Sequence, residues 1–302
     1  MTTATPQNKL EKSSIKLGFI GLGLMGSRLT RRLHSAGWNI QAWNRSPKPA
    51  QELAGGGIAI APSLADLVAA SDVVLSCLVN DAAVDAVYFG EAGVFSAARP
   101  GQIVLEMSTI SPALSLRLHR EAETRGLRLL DLAISGSTPA VEAGAITLLA
   151  GGDRATFDQC TPIYESIAKQ WFLIGPGSFG IQMKLVVNLL LGVDMLAIAE
   201  AVSLGEHLSI DRTVLLDVLS KTTVIPPAFK GKFKKIAAAD YSPEFPLRLM
   251  SKDMDLVRDS AAALGASLPA AKAAQQIFAA NVPASGNLDL SAITPYVVNR
   301  KA

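Results

Sequence analysis

Cysteine is scarce. The 302-residue chain has two, Cys77 and Cys160, far apart and with no His or Cys beside them. That argues against a disulfide framework or a metal site and suits a reducing compartment. Net charge is nearly absent: 28 Lys and Arg against 26 Asp and Glu leave +2, too little to imply a nucleic-acid partner. The first fourteen residues are polar and lack an apolar core, so they read as a disordered tail, not a signal peptide. An uninterrupted apolar run is also missing. The most apolar stretch, 183–204, contains Asn188, Asp194 and Glu200, which favours burial in protein over a membrane span. The expectation is a soluble, cytoplasmic protein without metal, membrane or nucleic acid.

Apolar residues make up 49% of the chain, enough for a large core and for two domains. The first half alternates short apolar runs with helical patterns. Strands are expected over 16–20, 39–43, 59–61, 73–78, 103–107 and 127–132. Met25, Leu29 and Leu33 recur every four residues, and Gly37 then ends that helix. Ser46-Pro47, Ser63 and Ser111-Pro112 are helix starts, with a capping hydroxyl and twice a proline at the first helical position. Two further strands, 146–149 and 171–174, flank a helix over 154–169. Beyond Gly180 the pattern is helical, broken at Pro226-Pro227, 243–246, Pro269 and 283–286. The fold class is therefore α/β: a doubly wound, mostly parallel sheet over 15–178, followed by an all-helical domain over 179–302.

Gly21, Gly23 and Gly26 form G-x-G-x-x-G between the first strand and an amphipathic helix. The first glycine permits a tight turn, the second lets a pyrophosphate approach the backbone, and the third lets helix and strand pack closely. The free N–H groups of the helix start then face the phosphate. A glycine-rich structural turn is the bland alternative. After the second strand comes Asn44-Arg45-Ser46, with no acidic residue to bind a ribose 2′-OH. Arg45 can pair with a 2′-phosphate and stack on adenine, which favours NADP over NAD; a solvated surface arginine is the other reading.

In open parallel sheets, ligands bind beyond the carboxyl ends of the strands. Those loops carry Leu78-Val79-Asn80-Asp81, Ser108-Thr109 and Ser135-Gly136-Ser137-Thr138. The last can present N–H groups and hydroxyls to a carboxylate, or be a plain turn. The three histidines are poor proton donors. His34 lies late in the first helix, His119 in a helix far from these loops, and His207 near a helix end; each reads as a surface or packing residue. Lys184 differs. It follows the loop 175–180 and begins the most apolar helix, where desolvation would bring its pKa toward a range useful for acid–base work. Asn188 is one turn on, facing the same way. A helix-end lysine extended to water fits the spacing equally. The run Lys230–Lys235 reads as a solvated helix face.

Four motifs in order, GFIGLGLMG (18–26), DLAISGS (131–137), GSFGIQMKLVVN (177–188) and KDM (252–254), make the chain resemble the β-hydroxyacid dehydrogenase family from about Lys16 to Tyr296. That family includes 3-hydroxyisobutyrate dehydrogenases and glyoxylate/succinic semialdehyde reductases. The resemblance implies that Gly21, Leu22, Gly23, Leu24, Met25 and Gly26 cradle the cofactor pyrophosphate. It makes Asn44, Arg45 and Ser46 an NADP-type strand ending, and has Leu78, Val79 and Thr109 line the cofactor. Ser135 and Gly136, joined by Ser137, would hold a substrate carboxylate. Lys184 matches the catalytic lysine and Asn188 its partner. Lys252 matches a lysine that reaches toward the cofactor, with Phe245 preceding it. A homodimer or homotetramer is also implied. Two departures fall in the second motif: Ala133 stands where proline is common, and Ser137 where a second glycine is common. They bear on which substrate fits. The implied activity is NADP(H)-dependent, with NAD as the alternative cofactor. It moves hydride between the nicotinamide and a small carboxylate-bearing aldehyde or 3-hydroxy acid. Two rivals share the fold: an imine reductase, which generally lacks the lysine, and a non-catalytic binding module, which has lost it.

Overall fold

The computed structural model describes residues 9–299. It divides into two compact units, Met1–Lys184 and Leu185–Ala302, a few residues beyond the expected boundary. One helix, Phe179–His207, starts in the first unit and continues in the second.

The first unit is an eight-stranded sheet: Lys16–Ile20 (β1), Asn39–Trp43 (β2), Ala59–Ile60 (β3), Val73–Ser76 (β4), Ile103–Glu106 (β5), Arg128–Ser135 (β6), Ile146–Gly151 (β7) and Ala168–Gly175 (β8). The strand order is β3-β2-β1-β4-β5-β6-β7-β8. β1 to β6 pair in parallel throughout. Every residue of β4 and β5 is buried, as strands covered on both faces must be. The order reverses between β1 and β4, and the loops that follow these strands flank that switch point. β7 runs antiparallel to β6. The link 136–145 is too short for a parallel crossover, which needs a dozen or more residues. β7 to β8 has two helices, Arg154–Gln159 and Thr161–Ile167, and so pairs in parallel.

The expected helix starts all occur. Ser63 and Ser111 accept the Asp66 and Leu114 amides. Ser46 stands at its N-cap without a side-chain bond, so Pro47 and the extended Ser46 backbone define that start. Of the expected tail, residues 1–8 lie outside the described residues. Residues 9–14 depart from the expectation: Leu10 is buried in the core and its amide donates to Gln159 O at 3.2 Å, because one apolar side chain suffices to fasten the segment.

The second unit is helical among its described residues, with a core built on Met195, Ala199, Val202, Met250, Met254 and Phe278. A Cβ at Gly192 would meet Met254 Sδ at 2.5 Å, so the long helix and the helix Leu247–Leu264 pack at glycine distance. Two expectations change here. The helix Pro269–Ser285 runs through Pro283 in its last turn; the proline removes one helical bond, but the carbonyl it leaves unpaired belongs to Ala279, an exposed residue that water can reach. The basic run is a solvated face only in part: Lys230 and Lys234 are exposed. Lys232 is buried, with Nζ 2.7 Å from Glu244 Oε2 and 2.8 Å from Asp289 Oδ2. Burial pushes the Asp289 carboxyl up, but Lys232 and the Ser291 donors hold it, on balance, below its ordinary value.

Candidate active site

At the glycine turn, Gly21 has φ +92° and donates its N–H to Trp43 O at 3.0 Å. A Cβ on Gly26 would stand 1.9 Å from Gly21 O, so a side chain there would break the packing of helix on turn. Nothing lies within 4 Å of a Cβ on Gly23, so that face of the loop is open. The helix Leu24–Ser35 starts at Gly23 with no side-chain cap. An open loop leading to an uncapped helix start is what a dinucleotide pyrophosphate fits.

The end of β2 shows a division of labour. Asn44 Oδ1 accepts the Leu22 amide at 2.9 Å, and its Nδ2 donates to Ser46 O at 2.9 Å. Its side chain is a brace that fixes the glycine turn to β2. Arg45 is exposed and has no ion pair or hydrogen bond among the described residues. Ser46 is exposed beside it.

Across the switch point, Leu78 follows β4 and Thr109 follows β5. Leu78 N–H donates to Ser108 Oγ at 2.7 Å, and Ser108 N–H donates to Glu106 Oε1 at 2.7 Å. Ser76 Oγ bonds Glu106 Oε2 and lies 2.6 Å from Tyr88 OH. Burial pushes the Glu106 carboxyl up, opposed by the Ser108 and Ser76 hydrogen bonds; burial and then Glu106 raise the Tyr88 phenol well above its usual value. Val79 is exposed at the loop tip.

β6 leads into the Ser135–Ser137 segment. Gly136 has φ +150°, and a Cβ there would meet Ile146 Cγ2 at 2.9 Å. Among the described residues neither hydroxyl is spent: Ser137 is an N-cap without a side-chain bond, and Ser135 Oγ has no partner. Two hydroxyls around a glycine in the left-handed region can accept an anion.

Earlier on β6 stands Asp131, 1% exposed. Its Oδ1 accepts Ser178 N–H at 2.7 Å and its Oδ2 accepts Ile181 N–H at 2.8 Å. His119 Nε2 lies 2.7 Å from Oδ1. His119 is therefore no idle packing residue, as its place in the chain suggested, because the helix Pro112–Thr124 brings it back over β6. Its ring also lies where a Cβ on Gly177 would be, 2.5 Å from His119 Cγ. A signal was present: an acid within the apolar run 129–134 must find partners. The helix that these bonds begin carries Lys184, only 8% exposed, just after its first turn.

One turn on, Asn188 is fully buried and its Nδ2 donates to Asp253 Oδ2 at 2.6 Å. Lys252 Nζ stands 2.9 Å from Asp253 Oδ1. A carboxylate only accepts, so it turns the Asn188 amide nitrogen toward itself and its oxygen away. That oxygen is buried without a donor among the described residues, an acceptor poised for a ligand group. Asp253 was not singled out from the sequence. Phe245 is placed by Asp289, whose Oδ2 accepts the Phe245 amide at 3.1 Å.

Residues 16–175 match the family described as the NAD binding domain of 6-phosphogluconate dehydrogenase. Residues 178–297 match that described as NAD-binding of NADP-dependent 3-hydroxyisobutyrate dehydrogenase. The chain is 31% identical over 280 residues to glyoxylate/succinic semialdehyde reductase 1 of Arabidopsis thaliana, covering 92% of this chain and 97% of that one. It is 30% identical over 284 residues to a 2-(hydroxymethyl)glutarate dehydrogenase of Eubacterium barkeri, covering 93% and 94%. Among solved structures, a 3-hydroxyisobutyrate dehydrogenase of Mycobacterium tuberculosis with L-serine aligns at TM-score 0.82 and 31% identity, over 94% of this chain and 99% of that one.

Proposed function

The chain belongs to the β-hydroxyacid dehydrogenase family and is an NAD(P)-dependent oxidoreductase acting on CH–OH groups, and from that premise we propose an NADPH-dependent semialdehyde reductase with Lys184 as proton donor. The observation that carries it is Lys184 itself. It is a buried lysine on a helix whose first turn is bonded to β6, the strand that ends in Ser135, in the unit that holds the glycine turn.

Gly21 to Gly26 hold the pyrophosphate, and Leu78, Val79 and Thr109 line the cofactor. Arg45 and Ser46 meet the 2′-phosphate, while Asn44 braces the turn. Phe245 and Lys252 complete the cofactor-binding set. When bound, the nicotinamide supplies hydride to a carbonyl carbon. Ser135, Gly136 and Ser137 hold the carboxylate of a small aldehyde or keto acid. Lys184 gives its proton to the developing alkoxide, and Asn188 positions it, with Oδ1 left to accept from the hydroxyl that forms. In the reverse direction the neutral Lys184 amine takes the hydroxyl proton of a 3-hydroxy acid. The reading is of a cytoplasmic homodimer or homotetramer with no membrane or nucleic-acid partner. Neither Cys77 nor Cys160 is in a disulfide, which suits a reducing compartment.

Following NADPH consumption with glyoxylate, succinic semialdehyde and a set of cyclic imines tests this. Turnover with the semialdehydes supports the reading. Turnover with imines alone replaces it with C=N reduction, and silence with all of them, alongside tight NADPH binding, replaces it with a binding module.

A further inference from the structure

The place of Lys184 depends on what fixes the start of its helix. The first N–H groups of a helix have no partner within it, so an unanchored start frays. Here the start is taken up from outside. Ser178 N–H and Ile181 N–H both donate to Asp131, one to each carboxylate oxygen, at 2.7 and 2.8 Å. His119 Nε2 lies 2.7 Å from Oδ1, and the residual charge of the helix start favours the same carboxylate. Two glycines remove any cushion between the parts. A Cβ on Gly180 would stand 2.5 Å from Leu149 O and 2.8 Å from Asp131 O. A Cβ on Gly151 would stand 2.6 Å from Asp131 Oδ1 and 2.8 Å from Gly180 N. Ser178 holds φ +77°, a strained value for a serine, and its amide is one of the two that Asp131 accepts.

We propose that Asp131 and His119 are a positioning pair for Lys184. Asp131 fixes the first turn of the lysine helix to the strand that ends in Ser135. His119, donating Nε2–H to Oδ1, fixes the rotamer of that carboxylate. One strand then sets both the proton donor and the carboxylate grip, so the spacing between them is held by β6. Neither residue touches substrate or cofactor. The proposal rests on Lys184 being the proton donor.

The test uses the full chain with His119→Ala, His119→Gln, Asp131→Asn and, as reference, Lys184→Ala. Hydrogen–deuterium exchange of segment 177–184 is read without cofactor. NADPH affinity and active-site count are read by titration, and kcat and KM are read per active site. His119→Ala should speed exchange in that segment about 10-fold and lower kcat about 10-fold, and Asp131→Asn should lower kcat about 100-fold, as small misplacements of a reacting group do. KM and NADPH affinity should stay within about 2-fold, since binding groups are untouched. His119→Gln, which can offer an amide donor near the place of Nε2, should recover most of kcat. A pair that only adds stability would lower the melting temperature and the active-site count but leave kcat per site unchanged, and that result overturns the proposal. If Asp131→Asn does not fold, the two His119 variants decide alone. Full turnover in Lys184→Ala overturns the functional reading. Lost turnover in Lys184→Ala with none lost in His119→Ala overturns the positioning pair only.

Discussion

Arg45 and Asn44 are neighbours with opposite fates. Asn44 spends both ends of its amide on the protein, while Arg45 stands exposed with none of its donors used by a described residue. A guanidinium left over at the end of β2 can contact a 2′-phosphate only if the cofactor has one. Arg45→Ala should weaken NADPH about 10- to 100-fold and NADH about 2-fold or less, as measured by fluorescence titration. Equal weakening of both would show that Arg45 does not read that phosphate.

At the scale of elements, the sheet and helix starts are local features, and the sequence pattern found them to within a few residues. β6 is the informative exception: expected over 127–132, it extends to Ser135 because Ala133 and Ile134 continue the buried face and pair with β7. The glycine turn and Asn44-Arg45-Ser46 were legible for the same reason, since a turn and a strand ending are written in consecutive residues. The pairs that brace the site were not. His119 meets Asp131 across 12 residues, Lys232 meets Asp289 across 57, and Asn188 meets Asp253 across 65. No spacing rule links such residues; only the fold does. Glu106 is a further case, a buried acid at the end of β5 that ties the Leu78 and Thr109 loops through Ser108. Its carboxyl is raised by burial, so the folded state holds a proton more firmly than the unfolded chain. Its contribution to stability is present in full below the unfolded carboxyl value and is lost as pH rises through the folded one. Glu106→Gln should therefore flatten the fall in stability from acid to neutral pH, read from urea midpoints. Parallel slopes in the two proteins would exclude Glu106 as the titrating group.

For the whole molecule, the long helix poses the main physical problem. Phe179–His207 is long and apolar enough to cross a membrane, and 44% of its most apolar window is buried. The expected burial in protein is seen on one face. Asn188 is spent inside on Asp253, but Val186, Leu190, Leu204 and Leu208 are each more than half exposed and recur at helical spacing. Such a stripe is costly to leave in water. A second copy of the chain is the occupant that the family resemblance implies. The protein should sediment as a dimer or tetramer at micromolar concentration, and Leu190→Glu with Leu204→Glu should shift it toward monomer. A wild-type monomer would leave the stripe unexplained.

The central claim is that Lys184 moves the proton. Substituting Lys184→Ala and measuring kcat with glyoxylate or succinic semialdehyde, alongside NADPH affinity, tests it most directly. Loss of a positioned acid costs about 10²- to 10⁴-fold in rate, so turnover should fall by that factor while NADPH affinity is kept. Turnover at the wild-type rate in a variant that binds NADPH normally would contradict the claim.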